Sequence, residues 1–337
     1  MFKSLAQLLL LSFIVFFAVT TVYAKTFKIA TLSPEGSDWM VKMRAGAKEI
    51  KQKTDGRVKF KFYPGGVMGD DLAVLRKIRI GQLHGGALAG GSIIKANSDY
   101  RIFSLLLTFK DQGEINYIRQ HIDPTIKKGF EKGGFIILGM AEAGFAYTMS
   151  SKEAISNIKQ LRQQKVWTPS DDKISQETLQ SFGVTPIPLP YGDVLAGLQT
   201  GLINTVAMSP IGAIALQWYT QIKYITDMPL LYSLGILTIN QKAFKKIKAA
   251  DQKIVRDIMN KAFNAIETTN RKNNVEALAV LKSSGIKFIK PSASDYQEWQ
   301  ALADKANREM VASGDLDAGL VTRVELLLKD YRNKKTH

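Results

Sequence analysis

The 337-residue chain contains no cysteine and only three histidines. Without cysteine there is no disulfide framework, no Cys–His catalytic pair and no thiol to carry a lipid anchor. The histidines, His84, His121 and His337, share no helix face, and neither HExxH nor GxSxG occurs. Zinc-hydrolase and nucleophile-elbow chemistry therefore have no footing, and the reading is of a protein that is not an enzyme. Long apolar runs are scarce as well. Past the N-terminus no stretch is long and apolar enough to span a bilayer, which takes about 20 residues.

What is present begins with an export signal. Lys3 precedes an apolar run of about 12 residues, Leu8 to Val19, and Val22-Tyr23-Ala24 places small residues at −3 and −1. This predicts a signal peptide over residues 1–24, cleaved near Ala24, and soluble export. An uncleaved anchor is the alternative, for which the run is short. The net charge is +16, but the bases are interspersed with acids, as in Lys42, Arg44, Lys48, Glu49, Lys51 and Lys53. With no nucleic-acid motif, this reads as a solvated basic surface and not a nucleic-acid partner site.

Strands and helices alternate along the chain. TFKIAT (Thr26 to Thr31) is a strand, and Ser37 or Asp38 caps a helix carrying Met40, Met43, Ala47 and Ile50 at helical spacing. Val58, Phe60 and Phe62 alternate with lysines in a half-exposed strand, and Asp70 or Asp71 opens the next helix after a Gly-rich loop holding Met68. HGGALAGGS, from His84, has neither dinucleotide nor P-loop spacing, so its small residues are read as permitting close approach. Phe135 to Leu138 is a buried strand. Gly144 to Met149 and Leu231 to Asn240 are β-prone segments suited to crossing between two sheets. Asp251 opens a helical pattern running to Ser284, roughly 50 Å at 1.5 Å per residue, too long for one small domain. A break near Asn270 to Asn274 is the alternative. Beyond it come a strand at Ile286 to Ile289, helices from Ser294 and near Leu316 that wrap the second lobe, and a frayed basic tail from Arg332 to His337.

The most informative segment is KVWTPSDDKISQETLQSFGVTPIPLPYGDVLAGLQTG, Lys165 to Gly201. Strand (Lys165 to Thr168), helix (Ile174 to Phe182), strand (Pro186 to Leu189) and helix (Asp193 to Thr200) follow one another, which is the parallel α/β pattern. Ligands in such folds sit beyond the strand C-termini, where Trp167 and Tyr191 fall. Asp171-Asp172 is read as a helix cap and not a catalytic carboxylate pair.

This segment, with INTVAMSP after it, resembles the DctP-like solute-binding proteins of tripartite ATP-independent periplasmic (TRAP) transporters. The resemblance implies an α/β, two-lobed clamshell with hinge crossings and a long helix spanning both lobes. It places residues 25–146 plus 231–266 in lobe I and 147–230 plus 267–337 in lobe II. It further implies a periplasmic protein that closes on a small-molecule ligand and delivers it to TRAP membrane permease subunits, with no cofactor. The candidate ligand-binding residues are Trp39 and Met68 from the first lobe and Trp167, Tyr191, Ser209 and Trp218 from the second.

One departure from the family pattern bears on the ligand. Where relatives carry an arginine that grips a carboxylate, this chain has Trp167, and Ala146 stands where many have a second arginine. Hydrogen bonds to a charged group are worth roughly 1.5–3 kcal/mol each. A carboxylate buried without that partner loses several kcal/mol to desolvation, whereas an indole offers a broad apolar face. The expectation is a largely apolar pocket for a neutral or hydrophobic ligand. The rival readings are an organic acid held by another base such as Lys165 or Lys173, a periplasmic ligand-sensor subunit, and a secreted enzyme.

Overall fold

A computed structural model describes residues 24–89, 93–170 and 172–336. The signal-peptide assignment therefore lies outside the described residues, as do Gly90, Gly91, Ser92, Asp171 and His337.

The chain opens with strand β1 (Lys25–Thr31) and helix α1 (Asp38–Lys53), capped by the Ser37 hydroxyl. Edge strand β2 (Val58–Tyr63), helix α2 (Asp71–Arg79, capped by Asp70) and strand β3 (Gly85–Ala89) follow. β2 and β3 pair in parallel with β1. A 3-10 segment (Ser98–Ser104) and helix α3 (Gln112–Lys132) lead into β4 (Phe135–Ser150). The next part holds α4 (Ile158–Arg162), β5 (Trp167–Pro169), α5 (Lys173–Ser181), β6 (Ile187–Leu189), α6 (Val194–Thr200), β7 (Thr205–Met208) and α7 (Pro210–Ala215). Then come β8 (Tyr224–Asn240), α8 (Gln241–Phe244), α9 (Ala249–Ser283), β9 (Lys287–Ile289), α10 (Ala293–Ala312) and α11 (Ala318–Thr336).

The main sheet runs β2-β1-β3-β8-β4-β7, with β9 on β8, while β5 and β6 form a small parallel pair bridged to β7 through Val166 and Thr205. The fold is thus two-lobed α/β, and the lobes are joined by the antiparallel pair β4–β8. Both crossings are longer than the sequence pattern indicated. Phe135–Leu138 and Gly144–Met149 belong to one 16-residue strand. Register shifts at Ile137/Gly139 and Glu142/Gly144 interrupt its alternation, and such bulges swap which side chains face each layer. Ile137 and Met140, three apart, consequently share one core, while Ile136, Leu138 and Ala141 join the other.

Helix α9 is a single rod of 35 residues, about 52 Å long. Its first half buries Val255, Met259 and Phe263 in the first lobe, and Leu281 reaches the second. The Asn270–Asn274 stretch does not break it. Asn270 Nδ2 donates to the Glu142 carbonyl at 2.7 Å and Asn274 Nδ2 to the Ala143 carbonyl at 3.0 Å. These amides serve backbone groups freed by the bulge, where Gly144 takes φ +102°. The buried Glu142 carboxylate accepts from Gln112, Tyr232 and Arg271, tying α3, β8 and α9 to the crossing.

Two features of the C-terminal region differ from the sequence reading. Residues 267–337 were expected in lobe II, yet Leu320, Val324 and Leu328 of α11 pack into the first-lobe core beside Ile118 and Ile122. The tail is also not frayed. Helix α11 continues to Thr336, and Arg332 makes a two-pronged pair with buried Glu114, at 2.7 and 3.0 Å. The physical reason is that an amphipathic helix buries its stripe wherever an apolar face is open, and here α3 offers one.

Two stability predictions follow from this packing. A Cβ at Gly139 would lie 2.1 Å from Phe263 Cγ, so Gly139→Ala lowers stability by about 1–3 kcal/mol in denaturant unfolding; a wild-type midpoint contradicts the close β4–α9 contact. Arg57 holds the Asp251 carboxyl below its ordinary range through paired hydrogen bonds, both 2.9 Å. The resulting stability is present above the unfolded-state value, about 3.9, and is lost as pH falls through the depressed folded-state value. The melting-temperature gap between wild type and Arg57→Gln should therefore close on acidification below about pH 4.

Candidate functional site

Between the lobes lies a cavity of about 560 Å³, walled by first-lobe residues such as Thr31, Asp38 and Trp39 and by second-lobe residues such as Trp167, Tyr191 and Ser209. Its second-lobe wall starts at β5. Lys165 N donates to Asn204 Oδ1, and Trp167, the first residue of β5, pairs in parallel with Ile187 and lines the cavity. The indole is 4% exposed. Its Nε1–H donates to the Leu189 carbonyl at 3.0 Å, so the ring is fixed and its one donor is spent within the protein. Tyr191 meets it edge-on at 5.0 Å between ring centres, and Trp218 at 5.2 Å.

Four of the six candidate residues line the cavity: Trp39, Trp167, Tyr191 and Ser209. Trp39 stands edge-on to Phe263 at 5.4 Å. Its ring is admitted by Gly235 on β8, where a Cβ would lie 2.5 Å from Trp39 Cη2. Ser209 caps α7, its hydroxyl accepting from Gly212 N. The other two sit elsewhere. Trp218 is 1% exposed behind Trp167 and stacks on Tyr191 at 6.2 Å, so it backs the wall without lining it. Met68 packs against the first-lobe core, and its carbonyl takes a hydrogen bond from Lys77 Nζ; a Gly-rich loop does not by itself face a cleft.

Sequence reasoning missed the charged lining. Arg101, from the 3-10 segment packed on the first lobe, donates through Nη2 to Asp172 Oδ1 at 2.9 Å, and both side chains are 9% exposed. Asp172 also caps α5, accepting from Ser175 N and Oγ. Arg101 is the one Lys, Arg or His among the described lining residues, against three carboxylates, Asp38, Asp71 and Asp172. Asp38 is paired with Lys42. Ala146 lines the cavity, whereas Lys165 turns its ammonium to the Gly201 carbonyl and Lys173 pairs with Glu177 at the surface. No motif marks Arg101; only its contact with a residue 71 positions away distinguishes it.

The remaining motif residues are structural. His84 Nδ1 accepts from Lys28 N, and burial, followed by Lys25, Lys28 and Lys246, lowers its pKa. Gly85 lets β3 approach β8, since a Cβ there would meet the Thr238 carbonyl at 2.1 Å. Among the described residues, no group of three His, Cys, Asp or Glu is placed to hold a metal ion, and no helix is long and apolar enough to cross a membrane.

Comparison with known proteins agrees with this architecture. The profile of the bacterial extracellular solute-binding protein family 7, DctP, matches residues 29–313. A solute-binding protein of Verminephrobacter eiseniae is 23% identical over 272 residues, covering 80% of this chain and 81% of that one. Among solved structures, a TRAP periplasmic solute-binding protein of Ralstonia eutropha with bound (S)-2-acetolactate superposes with TM-score 0.83 at 20% identity, over 90% of this chain and 99% of that one. The sugar acid binding protein DctPAm of Advenella mimigardefordensis, in complex with galactonate, gives TM-score 0.83 at 16% identity, over 91% and 99%.

The fixed indole can be checked directly. Trp167→Phe removes the Nε1–H bond and leaves the Leu189 carbonyl with Ser170 N alone, at 3.3 Å, which costs about 0.5–1.5 kcal/mol of stability, read as a lower midpoint in denaturant; an unchanged midpoint contradicts the bonded position.

Proposed function

The chain belongs to the bacterial extracellular solute-binding protein family 7, the TRAP solute-binding proteins, and from that premise we propose that it captures a small neutral or hydrophobic ligand by lobe closure and delivers it to a TRAP membrane permease. Export to the periplasm, as for family relatives named periplasmic, belongs to the same reading.

The observation that carries the ligand class is the charge of the cleft wall. A chain of net charge +16 presents one guanidinium and three carboxylates among the described lining residues. The guanidinium is already paired with Asp172 at 2.9 Å. An anion entering here would find that guanidinium already matched by Asp172 and no second cation among the described lining residues. It would also find Trp167 and Ala146 at the positions where the family resemblance puts arginines. An apolar body gains instead, since burial against aromatic faces contributes about 25 cal/mol per Å². Trp39, Trp167 and Tyr191 supply those faces.

A second reading is favoured by Arg101 itself. The solved neighbours hold galactonate and acetolactate, and a carboxylate could take Arg101 if Asp172 moved aside. Displacing a buried partner leaves that carboxylate unpaired, which is strongly unfavourable, so the neutral reading ranks first.

Native mass spectrometry of the purified protein, followed by denaturing release, tests the choice. The expected result is an uncharged compound that raises the melting temperature and loses at least tenfold in affinity on Trp167→Ala. Recovery of a dicarboxylate or sugar acid contradicts it.

A further inference from the structure

Three buried side-chain polar atoms among the described residues lack a hydrogen-bond partner: Arg101 Nε, Thr168 Oγ1 and Asp38 Oδ2. All three residues line the same inter-lobe cavity described above. Arg101 is 7% exposed and Thr168 1%. Native proteins leave few buried polar groups unsatisfied, because each such group forfeits its solvation. Orphan atoms scattered through a core would be local imperfections. Orphan atoms gathered around one cavity describe what should occupy it.

Each atom specifies a complement. Arg101 Nε–H can only donate, so it requires an acceptor. The neutral-ligand reading makes that acceptor uncharged, and Asp172 Oδ1 already shares the same guanidinium through Nη2 at 2.9 Å. The Thr168 hydroxyl follows Trp167 on β5 and can donate to an acceptor or accept from a donor. The buried Oδ2 of Asp38 can only accept while ionised. Its other oxygen holds Lys42, so it asks for a donor that brings no charge of its own.

We propose that the cleft selects an uncharged amide or hydroxy-carbonyl compound on an apolar body, with its carbonyl oxygen taken by Arg101 Nε and Thr168 Oγ1 and its N–H or O–H given to Asp38. The proposal rests on the neutral-ligand reading and adds the polar pattern that discriminates among neutral molecules. Thr168 and Arg101 are then the specificity-determining residues, and the aromatic wall holds the remainder of the ligand.

The test is competitive retention of isosteric trios by the purified, ligand-stripped protein. Each trio has one aryl or cycloalkyl body carrying a primary amide, a carboxylate or an ethyl group. Retention of the amide over both partners supports the proposal. Equal retention of amide and ethyl compounds overturns the polar pattern while leaving the neutral-ligand reading intact. Preference for carboxylates overturns both, and retention of no amide counts against the proposal. Thr168→Val supplies a second readout. It should weaken the best retained amide roughly five- to tenfold and leave the ethyl analogue unaffected. The melting temperature of the unliganded variant should be unchanged or higher, since a buried hydroxyl without a partner is removed. Unchanged amide affinity in that variant removes Thr168 from the site.

Discussion

The ion pair between Arg101 and Asp172 is the interaction on which the proposed ligand class depends. It joins a side chain packed on the first lobe to the cap of a second-lobe helix, with both groups largely withdrawn from water. A buried pair contributes little to stability on balance, because desolvation offsets the attraction. Its effect on recognition is larger. In the proposed reading, a guanidinium whose charge is internally balanced serves as a hydrogen-bond donor and not as an anion receptor. Asp38 is likewise matched, by Lys42, and the described lining residues of a basic protein present no unpaired cation to the cleft.

The scaffold that presents this wall depends on how β4 and β8 pass between the lobes. The strands remain paired through the crossing, yet their register slips at Glu142/Gly144 and again at Ala146/Tyr147. Those slips free backbone carbonyls, and α9 supplies Asn270 and Asn274 to take them up. Asn274 also accepts from Ile211 N, so the same side chain touches the helix that Ser209 caps. The irregular backbone of the crossing is thus tied by these side chains to α9 and α7.

Much of this was legible from the chain. The strand–helix rhythm from Lys165 to Gly201 pointed to Trp167 and Tyr191, and both line the cavity; Tyr191 follows the C-terminal end of β6, whereas Trp167 reaches it from the start of β5. The long helix was visible in the spacing of Val255, Phe263 and Leu281, all of which are buried. Other features were not legible because they arise from contacts distant in sequence. Periodicity shows that α11 is amphipathic but not that α3 is its partner. Met68 and Trp218 have the residue types of a binding wall, yet one is claimed by the first-lobe core and the other is screened by Trp167 and Tyr191. Arg101 and Thr168 were missed for a related reason. A lone arginine in SDYRIFS carries no motif, and a threonine in a strand is ordinary. Their meaning appears only when burial and missing partners are seen together.

A crystal structure of the protein with the ligand it retains through purification tests the central claim most directly. The account predicts an uncharged molecule against the Trp167 and Tyr191 faces, with the Arg101–Asp172 pair intact. A carboxylate bound to Arg101, with Asp172 turned away from the guanidinium, would contradict it.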